Sequence, residues 1–244
     1  MSTTASRWKL ARHRLADDTV AVALLWAGFF VFVTMVTLGV SAFRPIEVSG
    51  WEVGSQLPRW FLGGIGVYLT AVYLPLYIAH GYTRREFLAQ APVATAATVA
   101  VAALLMTVGY GLERVIYGVA DWPQVLQQSH LFAAPDQYGL ILLEFLLLFA
   151  VWAAAGALGG AGFYRGPASG LAVTPVALAM VGLAEAVLNP GFFELVTAIA
   201  GELGLQPEGV SITAAIGVGV GAVALGSALT WLLVRDLPVR SQRT

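Results

Sequence analysis

The sequence predicts an all-α polytopic membrane protein with six transmembrane helices. Hydrophobic residues make up 58% of the chain and charged residues only 11%, against averages of about 45–50% and about 25% in soluble proteins. The apolar residues form long continuous runs, without the alternation that is typical of membrane β-barrel strands. We therefore expect residues 1–244 to form a single transmembrane domain.

Six runs meet or approach the length of about 20 apolar residues that a helix needs to cross a bilayer. They cover residues of about 20–42, 60–79, 91–110, 138–161, 171–188 and 211–234. The fifth is the weakest, because Pro175 and flanking glycines interrupt it. The first is longer than the apolar region of about 7–15 residues found in a signal peptide, so we interpret it as a retained helix.

The basic residues predict the orientation of these spans. Ten of the thirteen lie in the N-terminal segment, the connections after the second and fourth spans, and the C-terminal tail at 235–244. Basic residues concentrate on the cytoplasmic side of membrane proteins, so both termini are expected in the cytoplasm. We call this side the predicted inner end and the opposite side the predicted outer end. Arg outnumbers Lys twelve to one and Ala and Gly are abundant, which indicates a GC-rich bacterial genome. We therefore expect the chain in a bacterial plasma membrane.

The segment 1–18 is expected to form a cytoplasmic amphipathic helix. Trp8 lies on one helical face, and Arg7, Arg12 and Arg14 are among the basic residues of the segment. Such a helix can lie in the membrane interface with its basic residues towards anionic headgroups. The alternative is a disordered basic tail that only sets the topology.

The connection after the second span carries signals for a sharp turn and a new helix. Gly81 can supply a left-handed residue that ends the second span. Thr83 and Glu86 have the spacing of a capping box, which begins a helix, and Pro92 favours a break just before it. We expect a short cytoplasmic helix between two spans, or alternatively a plain hairpin whose arginines only set the topology.

The connection after the fifth span also has helical signals. Asn189 and Pro190 suit the first positions of a helix, and about ten mostly apolar residues follow at 191–201. This run is too short to cross a bilayer, so it predicts a re-entrant or interfacial outer helix. An ordinary ordered loop is the alternative.

Several kinds of chemistry lack their motifs. There is no phosphate-binding P-loop, the single lysine is Lys9, cysteine is absent, and no His-Glu-x-x-His occurs. We expect the chain to bind no metal or cofactor and to be no enzyme. An enzyme with an intramembrane carboxylate remains a weak alternative.

Glu144 is the one ionisable residue placed deep within a predicted span. An intramembrane acid indicates a functional site, here substrate contact or proton coupling. The structural alternatives are a protonated carboxyl that is hydrogen-bonded across helices, or a partner for Arg114. Glu185 lies near the outer end of its span, where we expect it to reach water.

At the connection after the second span, the stretch Ala79-His80-Gly81-Tyr82-Thr83-Arg84-Arg85-Glu86-Phe87 resembles the pattern G-x-[ST]-R-[KR]-x-[FWY] of ABC-2 class permeases. These are six-span exporter subunits that work with a separately encoded ATPase. The overall architecture is similar too, with a basic N-terminal helix, six spans and an outer helical insertion between the last two.

The resemblance implies a function and a set of docking residues. The coupling helix that docks on the ATPase would contain Gly81, Tyr82, Thr83, Arg84, Arg85, Glu86 and Phe87, with Gly81 as the hinge. The N-terminal interfacial helix would contribute Arg7, Trp8, Arg12 and Arg14. It further implies a permease dimer with two P-loop ATPase subunits, which would bind ATP and Mg²⁺ and power export of an amphipathic or apolar cargo. A non-transport membrane protein, such as an immunity protein, sensor or scaffold, is the competing hypothesis.

Overall fold

The computed structural model describes residues 9–189, 202 and 211–235, with side chains described from residue 20 onward. Within these ranges the chain is helical and contains no strand, and six helical segments are long and apolar enough to cross a membrane. The elements are α1 (Lys9–Ser41), α2 (Gly50–Gly54), α3 (Gln56–Tyr68), α4 (Leu74–Ala79), α5 (Arg84–Ala120), α6 (Tyr138–Arg165), α7 (Pro167–Leu188) and α8 (Ile212–Arg235). The six predicted spans correspond to these six segments of the described residues, and Gly50–Ala79 is one of them.

The first helix is longer than predicted. It runs from Lys9 to Ser41 without interruption, so the described part of the predicted interfacial helix continues directly into the first span. The two elements were predicted because a basic amphipathic segment precedes an apolar run, but no Gly or Pro stands between them to break the backbone. Arg12 and Arg14 belong to this helix, whereas Arg7 and Trp8 lie outside the described residues.

The second span contains a π-helical segment at Leu69–Tyr73, between α3 and α4. Pro75 follows at the start of α4. Proline lacks an N–H and its ring crowds the carbonyl four residues earlier, so a wider turn before it relieves the clash. Within this segment the Thr70 hydroxyl donates to the carbonyl of Ala157 in α6 at 2.9 Å.

The predicted break before Pro92 is wrong. Pro92 lies inside α5, which is one helix of 37 residues. A proline is tolerated in a membrane helix where neighbouring groups satisfy the freed backbone carbonyl. The residues from Arg84 to Pro92 therefore form the first turns of a span and not a separate helix.

Helix α6 is the centre of the bundle. It packs against α3, α5, α7 and α8, and more than half of its most apolar stretch is buried. Gly156 lies directly on the backbone of Gly63 in α3, and Gly66 lies on the backbone of Ala153. A side chain at either glycine would collide with the facing helix, which is the close approach that small residues permit in membranes.

The two ends of the bundle differ in chemistry. At the predicted inner end, Tyr77, Phe87, Ala161 and Val234 belong to one apolar cluster. At the predicted outer end, the connections 42–49 and 121–137 meet, and the amide of Ser49 donates to the carbonyl of Val125 at 2.9 Å. Buried charged side chains lie beneath these outer connections. The predicted insertion at 190–201 lies outside the described residues.

Candidate functional site

The turn between α4 and α5 has the local geometry that its sequence predicts. Gly81 has a φ of 86°, a left-handed conformation that a glycine adopts without strain. The amide of Glu86 donates to the Thr83 hydroxyl oxygen at 3.2 Å, and the amide of Thr83 donates to the Glu86 carboxylate at 2.9 Å. This reciprocal pair is a complete capping box, and it begins α5 at Arg84.

The resemblance assigned seven residues of this turn to ATPase docking, and they differ in exposure. Phe87 is buried, and its ring packs against Tyr77 at a centroid distance of 5.6 Å. Tyr82 also packs against Tyr77, at 4.4 Å. Arg84 is half-buried, whereas Arg85 is exposed. The two aromatic residues therefore contribute to the apolar cluster at the predicted inner end. Of the two arginines in this set, Arg85 is the exposed one.

Glu144, at the predicted outer end, is fully buried and bonds to a histidine. His130 lies in the connection between α5 and α6, and its side chain has no exposed surface. The His130 Nδ1 atom lies 2.8 Å from Glu144 Oε1, and its Nε2 atom lies 3.0 Å from Glu52 Oε1. Glu52 belongs to α2, so this histidine joins the second span to the fourth.

Further donors surround the two carboxylates that bind His130. The amides of Gln127 and Gln128 donate to Glu52, at 2.8 Å and 2.7 Å, and the amide of Leu131 donates to Glu144 at 2.8 Å. The Asn189 side-chain amide at the end of α7 donates to Glu144 Oε1 at 3.3 Å. We call Glu52, His130, Glu144 and Asn189 the histidine network. The network attaches the connection 121–137 to the second, fourth and fifth spans.

The histidine network favours a charged histidine. Burial lowers the pKa of the His130 imidazole, but the charge of Glu144 and the hydrogen bonds to Glu144 and Glu52 outweigh burial and raise this pKa from 6.5 to about 9. The imidazolium then donates from both ring nitrogens, one to each carboxylate. At neutral pH His130 is therefore a buried cation between two carboxyl groups.

A second buried charge site, at Glu113, ties α5 to the start of the second span. Glu113 accepts hydrogen bonds from the Ser49 hydroxyl at 2.6 Å, the Trp51 amide at 2.8 Å and the Gln124 side chain at 2.8 Å. Its Ser49 partner also caps α2. Glu113 therefore holds the first outer connection against α5.

The third buried charge site is a pair between Arg59 of α3 and Glu185 of α7. The Arg59 guanidinium donates to Glu185 and, at 3.1 Å, to the Ser55 hydroxyl. The Trp152 indole of α6 donates to the other Glu185 oxygen at 2.7 Å. Arg59 is 0% exposed and Glu185 is 1% exposed. The expectation that Glu185 reaches water is therefore wrong.

The proposed partnership between Glu144 and Arg114 is also wrong. Arg114 pairs with Asp136 at 3.1 Å, and both side chains are about half exposed. Sequence reasoning identified Glu144 but missed Glu52, Arg59, His130, Glu185 and Asn189 as its buried surroundings. One usable signal was the occurrence of both an acid, Glu52, and a base, Arg59, within the first ten residues of the second span, where lone charges are costly.

The buried charge sites have the features of structural sites. In the described ranges, no group of three or more His, Asp or Glu side chains has a geometry suited to a metal ion. The carboxylates of Glu52, Glu113, Glu144 and Glu185 all accept hydrogen bonds from the protein itself. Satisfied, buried ion pairs of this kind position helices and connections.

The described residues define the class of protein: it is helical, it has six helical segments that are long and apolar enough to cross a membrane, and its buried charged side chains lie at one end of the bundle. Comparison with known proteins adds no narrower family: no family model, curated protein or solved structure matches the chain.

Proposed function

We propose that the chain is the membrane-spanning permease subunit of an ATP-driven exporter of the ABC-2 class, located in a bacterial plasma membrane with both termini in the cytoplasm. A separate P-loop ATPase binds ATP and Mg²⁺ and supplies the energy. Two permease protomers and two ATPase subunits form the transporter, and its cargo is an amphipathic or apolar molecule such as a drug, a peptide antibiotic or a lipid.

The observation that carries this proposal is the turn at the start of α5. A left-handed Gly81 and a complete capping box place the exposed Arg85 on the first turn of a span. A hairpin that only reversed the chain would need no such cap. The cap fixes the backbone of the turn that carries this cation, and a defined backbone is what a docking site for a partner protein requires.

The continuity of α5 suggests how a docked ATPase would act on the permease. A helix of 37 residues is about 55 Å long, enough to reach from one membrane surface to the other. Glu113 and Tyr117 near its far end bond to Trp51 and Gly50 of the second span. A displacement applied at Arg85 would reach the outer connections through one rigid element.

The test is copurification from the native membrane. We expect a P-loop ATPase to accompany the tagged wild-type chain in stoichiometric amount and to be lost when Arg85 is replaced with glutamate (R85E). The matched control is R165E, because Arg165 is an exposed arginine at the predicted inner end of α6. Absence of an ATPase, retention with R85E, or equal loss with R165E would each contradict docking at the start of α5.

The packing of the turn favours a second candidate, a membrane protein without an ATPase, such as an immunity protein, sensor or scaffold. Tyr82 and Phe87 pack against Tyr77 within the chain itself. Under this alternative the capped turn is only a stable inner corner. A purified wild-type chain that carries no ATPase would favour it.

A further inference from the structure

A groove lies at the predicted outer end between α1 and the start of the second span. Its volume is about 540 Å³. The apolar wall includes Phe32, Val36 and Val40 of α1, and Val53 of α2 lies opposite. Phe32 and Val36 are well exposed, 62% and 48%, although they belong to a membrane-spanning helix. The groove therefore opens sideways into the region of the lipid chains.

The depth of the groove matches one leaflet of a bilayer. From Val40 to Phe32 the lining follows eight residues of α1, which is about 12 Å along the helix axis. Half of a hydrocarbon core of about 30 Å is about 15 Å. The groove thus extends from the outer surface nearly to the middle of the membrane.

The rim of the groove carries two opposite charges. Arg44 and Glu47 are both exposed and both line it. Within the described residues neither forms an ion pair, and Arg114 with Asp136 shows that an exposed pair does form elsewhere on this surface. A ligand that carries an anion and a cation in one headgroup would complement both residues.

We propose that this groove binds a zwitterionic phospholipid that has a primary ammonium group. One acyl chain lies along Phe32, Val36 and Val40, the phosphate contacts Arg44, and the ammonium donates to Glu47. A primary ammonium has three N–H donors for the carboxylate, which a quaternary choline group lacks.

A transmembrane helix from a second copy of the chain is the competing occupant of the groove. Its apolar side chains would cover Phe32 and Val36 but would leave the exposed Arg44 and Glu47 at the rim without partners of opposite charge. A phospholipid covers the apolar wall with an acyl chain and meets both charges with its headgroup. The proposal concerns binding alone and holds whether or not the chain works with an ATPase.

The test uses phosphatidylethanolamine with a diazirine in its acyl chain, added to the purified full-length chain in detergent. We expect photocrosslinks at residues 32–40. The substitution V36W should reduce the labelling by at least about tenfold, because the larger side chain fills the groove. The matched control M35W should leave it unchanged, since Met35 is an exposed residue of α1 outside the groove.

Headgroup competition completes the experiment. Unlabelled phosphatidylethanolamine should compete better than phosphatidylcholine or phosphatidylglycerol, and R44E and E47K should each abolish that preference. Equal competition by the three lipids would overturn the proposal, as would labelling that survives V36W. An absence of crosslinks would also overturn the proposal. A change of oligomeric mass with V36W but not with M35W would overturn it too, because it would show that a second copy of the chain fills the groove.

Discussion

Replacement of Glu185 with alanine (E185A) is expected to lower the free energy of unfolding by about 3–5 kcal/mol. The change leaves the Arg59 guanidinium buried with no counter-charge, and Arg59 is 0% exposed. It also removes the acceptor of the Trp152 indole. The effect can be measured by reversible unfolding in mixed detergent micelles, followed by circular dichroism.

The double variant R59M/E185L is the control for E185A. It removes both charges and fills the space with apolar side chains, and buried ion pairs can often be replaced in this way at little cost. We therefore expect it to be more stable than E185A. A loss for E185A below about 1 kcal/mol would show that Arg59 is solvated, which would contradict its burial.

Replacement of His130 with alanine (H130A) is expected to cost a similar amount, about 3–5 kcal/mol, because Glu52 and Glu144 would remain buried without the cation between them. The variant H130Q keeps hydrogen bonding but carries no charge, so its loss should be smaller. The same unfolding measurement applies. A negligible loss for H130Q would contradict a charge-based role, because glutamine keeps hydrogen bonding and lacks only the charge.

The pH dependence of that loss follows from the pKa of His130. The pKa is raised in the folded state, from 6.5 to about 9. Its contribution is therefore complete below about pH 6.5, declines as the pH rises, and is lost above about pH 9. A shift of this size corresponds to about 3 kcal/mol. The stability difference between wild type and H130Q should shrink accordingly from pH 6 to about pH 10.

The features that the sequence predicts well are those encoded locally. Continuous apolar runs predict spans because each helix must satisfy its own backbone within lipid. The capping box between Thr83 and Glu86 is predictable because both partners lie within one helical turn. The break at Pro92 was a local inference too, but the surrounding bundle tolerates the proline inside α5.

The buried charges were not predictable, because their partners lie far apart in the chain. Glu52 and His130 are 78 residues apart, and Arg59 and Glu185 are 126 residues apart. Position near the end of a span suggests access to water for each of them. Their burial follows only from the folded bundle, in which α6 packs against α3 and α7 and the Trp152 indole bonds to Glu185.

Orientation in the membrane is the premise of the proposed function, because an ATPase can dock only on the cytoplasmic side. The chain has no cysteine, so single cysteines report accessibility without background. The variants S129C, R85C and A168C each place one cysteine at an exposed position. In intact cells, a membrane-impermeant maleimide should label S129C. It should label R85C and A168C only after the cells are opened. Labelling of R85C and A168C from outside, with S129C protected, would contradict the account.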